Sequence, residues 1–320
     1  MCTGTSSSLY ETTVNARSAR LFTGSLESAI YLLSSVCSVP SHTSVLPAIN
    51  TNFTHHISVG LANGEIITGQ NSISHPSMSI ALDLRATPSA HDDEVEEHDR
   101  IEDANLPGSL PSLRKQYITF SKADEEELPA RIERLWYINP YGQEIRLAAN
   151  PMVLNALHDA QAVIYSIGSL YTSIVPSLVL KGIGEALSNP QIRYKILILN
   201  STLDRETGPS SDAYSALDFV AAIAKAGANS KGVTETPEKS EFKNYVTHII
   251  HLTGPGTPAV DKEALRSLGI EAIRVYGRRN EGENFVRYDE RALIQALEVT
   301  MGKRDPRVHS RRNTLESHGR

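Results

Sequence analysis

The sequence has few cysteines, no long apolar run and no excess of basic charge. Two cysteines, Cys2 and Cys37, cannot build a disulfide framework and match no metal spacing. They fit a reducing, cytoplasmic compartment. Every apolar stretch is broken by charge or proline well short of the ~18 residues that cross a bilayer, so no membrane partner is expected. The N-terminal stretch MCTGTSSSLYETTVNARSAR lacks the apolar segment of a secretory signal. Its serines, threonines, Arg17 and Arg20 have the composition of a transit peptide, against which stand Glu11 and the short length. A net charge of −6 gives no global basic surface for nucleic acid. What is present is 320 residues, 40% of them hydrophobic, enough for one large domain with a substantial core.

Apolar spacing predicts a helix over 25–36 with Ser25 at its start. Residues 44–50 read as a short buried strand, and 56–70 as two short strands around Asn63-Gly64, the preferred two-residue hairpin turn. Residues 77–130 carry HDDEVEEHDRIED (91–103) and ADEEELP (123–129), too charged to bury, and read as an acidic, largely disordered insertion. This segment is a solvated loop or, alternatively, a partner-binding one. From 131 onward strands and helices alternate. Strands are expected at 131–139, 161–166, 193–200, 245–252 and 270–276. Helices are expected at 150–160 (Asn150 as cap, Pro151 first), 174–188, 211–227 (closed by Gly227), 261–269 and 289–302. Such alternation predicts a Rossmann-like three-layer α/β/α fold with a mostly parallel sheet. The expected layout is a poorly ordered N-terminus (1–20), one α/β domain (21–302) interrupted at 77–130, and a basic disordered tail (303–320).

One junction carries the chemistry. In IYSIGSLYTSIVP (164–176) an apolar strand ends, a glycine sits among hydroxyl residues, and a helix begins near Ser173 with Pro176 in its first turn. Ligands of open α/β sheets bind beyond the carboxyl ends of the strands. A helix start there offers free N–H groups and a partial positive charge. Gly168 lets backbone approach closely, and Ser166, Ser169, Thr172 and Ser173 add hydroxyl donors, which together suit a phosphate or carboxylate. The same residues also fit a plain helix cap at Ser173. Asn50 and His55, near the end of the first expected strand, are candidates to line the same cleft. His248 and His251, three apart on a strand, face opposite sides and do not chelate one metal. TGPGTP (253–258) reads as a plain turn in preference to a second anion nest. Asp204, Glu206, Asp212 and Asp218 are numerous enough to hold Mg²⁺, though Asp212 and Asp218 also suit a helix start.

The stretch DAQAVIYSIGSLYTSIVPSLVLKGIGEAL (159–187) resembles the signature of the 2-phospho-L-lactate transferase family, which includes bacterial gluconeogenesis-factor proteins. Gly168 through Ile174 and Pro176 match its GPGSLYTSI-P loop, whereas Ser166 and Ile167 replace the usual Gly-Pro. ILNSTLDRETGPSSDAYSALDFV (198–220) is similar to its N…ET.G…D segment through Asn200, Glu206, Thr207, Gly208 and Asp212. LFTGSLESAIYLLSSVCSVPSHTSVLPAI (21–49) resembles its early helix and strand. The resemblance implies a Rossmann-like fold and transfer of a phospholactyl group from a nucleotide-activated donor to a deazaflavin, with Mg²⁺. The other branch of the family implies a nucleotide-sugar-binding regulator without turnover. It further implies Ser169, Thr172 and Ser173 as anion ligands, and Asn200 and Glu206 near the acceptor or base. No catalytic base and no metal ligand is assigned by it. A nucleotide or nucleotide-linked small molecule is the expected partner, and a homodimer is compatible with it. Family chains open with a strand and a Gly-Gly-Gly-rich loop. Here the only early counterpart is CTGTSSS (2–8), so the chain reads as N-terminally truncated, with an exposed strand edge, low stability alone and a leaning towards inactivity.

Overall fold

The computed structural model describes residues 26–51, 55–75, 110, 127–279 and 285–302. The expected loose N-terminus, the basic tail and the acidic insertion, apart from Leu110 and residues 127–130, lie outside the described residues, as does Ser25.

The first half builds an antiparallel sheet. Helix α1 (Leu26–Val36) leads into residues 44–50, which form no strand. Val45 there is half exposed, and Pro47 and Ala48 spend their carbonyls on Asn150. An apolar run thus serves as a docked loop. Strands β1 (His56–Leu61) and β2 (Ile66–Thr68) form the expected hairpin, with Gly64 at φ 86° supplying the left-handed turn residue. The short helix α2 (Gln70–Ser74) follows. Strand β3 (Ile132–Ile138) pairs antiparallel with β1, and β4 (Glu144–Ile145) extends the sheet to the order β2-β1-β3-β4. β3 was expected to begin the regular α/β alternation, yet it stands outside the parallel sheet. Its mixed burial along the chain is what a one-sided antiparallel strand carries, not a strand covered on both faces.

The second half is the parallel sheet. Helix α3 (Pro151–Asp159) starts as expected: Asn150 accepts from Met152 N at 3.0 Å, and Pro151 sits where its missing N–H is harmless. Strands β5 (Ala162–Tyr165), β6 (Tyr194–Ile198), β7 (His248–His251) and β8 (Glu271–Arg274) lie in that order, all parallel. Between β5 and β6 the expected single helix 174–188 is two pieces, α4 (Val175–Leu178) and α5 (Ile183–Leu187). The break falls where Lys181 N and O bond Leu147 and Ala149, a tertiary claim on backbone groups that a continuous helix would need.

Helix α6 (Ala216–Ser230) starts later than expected, at a capping box in which Ser215 and Asp218 exchange bonds. It also runs past Gly227. That glycine does not end the helix; it makes room, since a Cβ there would lie 2.2 Å from the Tyr245 ring. Helix α7 (Lys262–Ser267) is capped by Asp261. The small pair β9 (Gly277–Arg278) and β10 (Arg287–Tyr288) precedes helix α8 (Glu290–Thr300). Leu197, Leu199 and Ile249 pack toward α6, while Ile196, Ile198 and Ile250 pack toward α8, giving the three-layer arrangement. Among the described residues β5 pairs only with β6, and Ile164 and Ile167 beside its outer edge are 42% and 48% exposed.

Candidate functional site

All four parallel strands end at one rim, and the hydroxyl-rich turn stands there after β5. Ser169 occupies the cap position of a π-type turn (Leu170–Ile174) that runs into α4, and its carbonyl accepts from Ser173 N at 3.0 Å. The cap therefore falls at Ser169 and not at Ser173, and Pro176 is placed in the first turn of α4.

Two residues after β6 hold this turn. Asn200 clamps Gly168 by both of its backbone groups: Gly168 N donates to Oδ1 and Nδ2 donates to Gly168 O, each at 3.1 Å. Glu206, 1% exposed, accepts from Tyr171 N at 2.9 Å and Thr172 N at 3.0 Å with Oε2. Its Oε1 accepts from the Thr172 hydroxyl and from Ser74 Oγ at the end of α2. The anion attracted by the helix start is thus the protein's own carboxylate. The outer donors remain: Ser166 and Ser173 are exposed, with Gly168 half-buried between them.

Asp204 joins the same group. Its side chain accepts from Glu206 N at 3.1 Å and from the Ser169 hydroxyl. Burial, and then the neighbouring Glu206 charge, push its carboxyl up to about 6 from an ordinary 3.8. Thr207, buried, donates through Oγ1 to Asp204 O at 2.6 Å. Below the turn, the Tyr171 hydroxyl donates to Ile132 O at 2.9 Å and meets the Tyr214 hydroxyl at 2.9 Å. Arg131 stacks over Tyr214 at 4.7 Å and bridges Asp212 and Asp218 at 2.6 and 2.9 Å. Asp212 and Asp218 therefore tie the start of β3 to the head of α6.

The structure thus gathers Ser166, Gly168, Ser169, Thr172, Ser173, Asn200, Glu206 and Thr207 at one place. Asn50 is exposed on a segment tied to α3, and His55 precedes β1, so both stand outside these hydrogen bonds. Burial lowers the titration of His55 and His56. Among the described residues no three His, Cys, Asp or Glu side chains converge to hold a metal, and the Glu206 oxygens already take four donors. Among the described residues the donor set does not fit a protein-held Mg²⁺. Sequence reasoning missed Ser74, 98 residues before Thr172, for which no local signal exists. It weighed Asp204 only as one of four carboxylates for Mg²⁺, although an Asp two before Glu206 is the pattern of a side chain capping a short turn.

The profile of the 2-phospho-L-lactate transferase CofD family matches residues 10–303, so the chain belongs to that family. It is 39% identical over 256 residues to the uncharacterized protein YNL011C of Saccharomyces cerevisiae, covering 73% of this chain and 57% of the yeast protein. The chain thus spans little more than half the length of that relative. Two crystal structures of protein BH3568 from Bacillus halodurans, one described as a member of the UPF0052 family, superpose with TM-scores of 0.58 and 0.56 at 19% and 20% identity. They cover 89% and 88% of this chain and 70% of theirs. They establish the Rossmann-like fold. Among the described residues no helix is long and apolar enough to cross a membrane.

Proposed function

We propose that this chain binds a nucleotide-activated phosphate substrate on the outer face of the turn after β5, and transfers its phosphoryl-linked group in the manner of a 2-phospho-L-lactate transferase. The observation that carries this reading is the clamped turn. Asn200 and Glu206 fix Gly168 to Thr172 while Ser166 and Ser173 stay exposed at the carboxyl rim of the sheet. A phosphoryl transfer asks the protein mainly for alignment and charge-matched donors, which a rigid hydroxyl face supplies. The ligand's phosphate rests outside the amides that Glu206 occupies. Mg²⁺ would arrive on the ligand's own phosphate oxygens.

Calorimetric titration with GDP and with UDP-N-acetylglucosamine, with and without Mg²⁺, tests the binding half. Release of nucleoside monophosphate from guanosine-activated 2-phospholactate in the presence of a deazaflavin tests the transfer. Binding of either nucleotide without product moves the chain to the regulator branch, and no binding of either rejects the site.

A further inference from the structure

The residues that hold the turn leave the acceptor without a group to take its proton. Asp204 is the one carboxylate of the cluster that touches the turn and also opens onto a cavity. Its side chain receives the Ser169 hydroxyl from the turn. On its other side it lines a cleft of about 200 Å³ together with Glu127, Arg205, Thr207, Gly208 and Ser210. Its own loop holds it in place, since Thr207 N and Oγ1 both bond its carbonyl, at 3.1 and 2.6 Å. Gly208, at φ 84°, turns the backbone around the cleft against Arg131.

We infer that Asp204 is the general base of the transfer, taking the proton of an acceptor hydroxyl seated in the cleft between Thr207 and Ser210. This inference rests on the transferase reading above. The acceptor oxygen gives its proton to the Asp204 carboxylate and forms a bond to the phosphorus lying over the turn. The bond from that phosphorus to the bridging anhydride oxygen breaks, and the bridging oxygen leaves with the electron pair as part of a nucleoside monophosphate. Asp204 suits this step because it faces the acceptor from one side and contacts the phosphate-holding turn from the other. Its raised titration, to about 6, keeps it ionised at neutral pH yet basic enough to accept a proton.

The test is steady-state turnover of guanosine-activated 2-phospholactate with a deazaflavin acceptor across pH 5 to 8. Asp204→Asn is expected to lower kcat by about 10²- to 10⁴-fold, with GDP affinity measured by calorimetry within about twofold of wild type. The acid limb of the wild-type kcat/KM profile, near pH 6, should vanish in this variant. Should Asp204→Asn not fold, Asp204→Glu decides: it keeps a carboxylate and is expected to keep the acid limb, shifted. A wild-type enzyme that turns over while Asp204→Asn stays within about threefold of it, or either variant with an unchanged acid limb, overturns the role of Asp204 alone. A silent wild type that still binds GDP overturns the transferase reading instead.

Discussion

Two glycine-containing turns stand at the carboxyl rim on either side of β6, one after β5 and one after β7, and they are held in opposite ways. The turn at 253–257 closes on itself: Thr257 Oγ1 donates to Gly254 O at 2.9 Å and accepts from Gly254 N at 3.3 Å. The turn at 166–174 is closed from outside, by Asn200, Glu206 and Ser74. A self-closed turn has used its donors locally. A turn braced by other segments keeps its own outward hydroxyls for a ligand. The sharpest way to break the contrast is Glu206→Ala. It leaves the amides of Tyr171 and Thr172 unpaired and should cost about 4 kcal/mol, since each buried orphan donor costs about 1–3 kcal/mol. Urea denaturation measures this, and a loss under about 1 kcal/mol would show that water replaces the carboxylate and that the brace is dispensable.

Asp204 gives the next largest effect, and its sign is unusual for a carboxylate. Its folded value, about 6, lies above its ordinary 3.8, so the folded state holds the proton more tightly than the unfolded one. Its contribution to stability is complete below about pH 4 and is lost as pH rises through about 6. A shift of about two units corresponds to about 3 kcal/mol. The stability difference between wild type and Asp204→Asn should therefore move in favour of the variant by about that amount between pH 4 and pH 8. Parallel denaturation curves at the two pH values would refute the burial of this group.

Much of this was legible in the sequence. Asn150-Pro151 marks the head of α3, Asn63-Gly64 marks the hairpin, and the apolar strands 161–166 and 193–200 mark a sheet covered on both faces. These signals are local, so local chemistry decides them. The gathering of Gly168, Asn200 and Glu206 was legible only through the family motif. The failures have one cause, which is backbone or space claimed by distant residues. Lys181 breaks a helix because Leu147 and Ala149 take its backbone groups. Gly227, which looks like a helix terminator, is there for the Tyr245 ring. The apolar run 44–50 docks on Asn150 instead of joining a sheet. Ser215-Ala-Leu-Asp218 was a readable capping box, and it would have placed the start of α6 correctly.

Asn200→Ala sharpens the comparison at lower cost. It removes two hydrogen bonds to Gly168 and should destabilise by about 2 kcal/mol. Its larger signature is in binding: Gly168 regains freedom, and GDP affinity should fall about tenfold in calorimetry. Asn200→Asp tests the geometry, since a carboxylate still accepts from Gly168 N but cannot donate to Gly168 O. It should show an intermediate loss, and an affinity equal to wild type would place the nucleotide away from this turn.

Thr257→Val is the smallest expected effect and the control for the others. It keeps the shape of the side chain and removes the internal closure of the second turn, costing about 1 kcal/mol. This turn touches the loop after β6 through backbone, Leu203 N donating to Gly256 O at 3.2 Å, a bond that the substitution does not remove. GDP affinity should therefore stay at the wild-type value while the denaturation midpoint drops slightly. If Thr257→Val weakened GDP binding as much as Asn200→Ala does, the turn after β7 would belong to the ligand site. External bracing would then no longer separate the turn that binds from the turn that only reverses the chain.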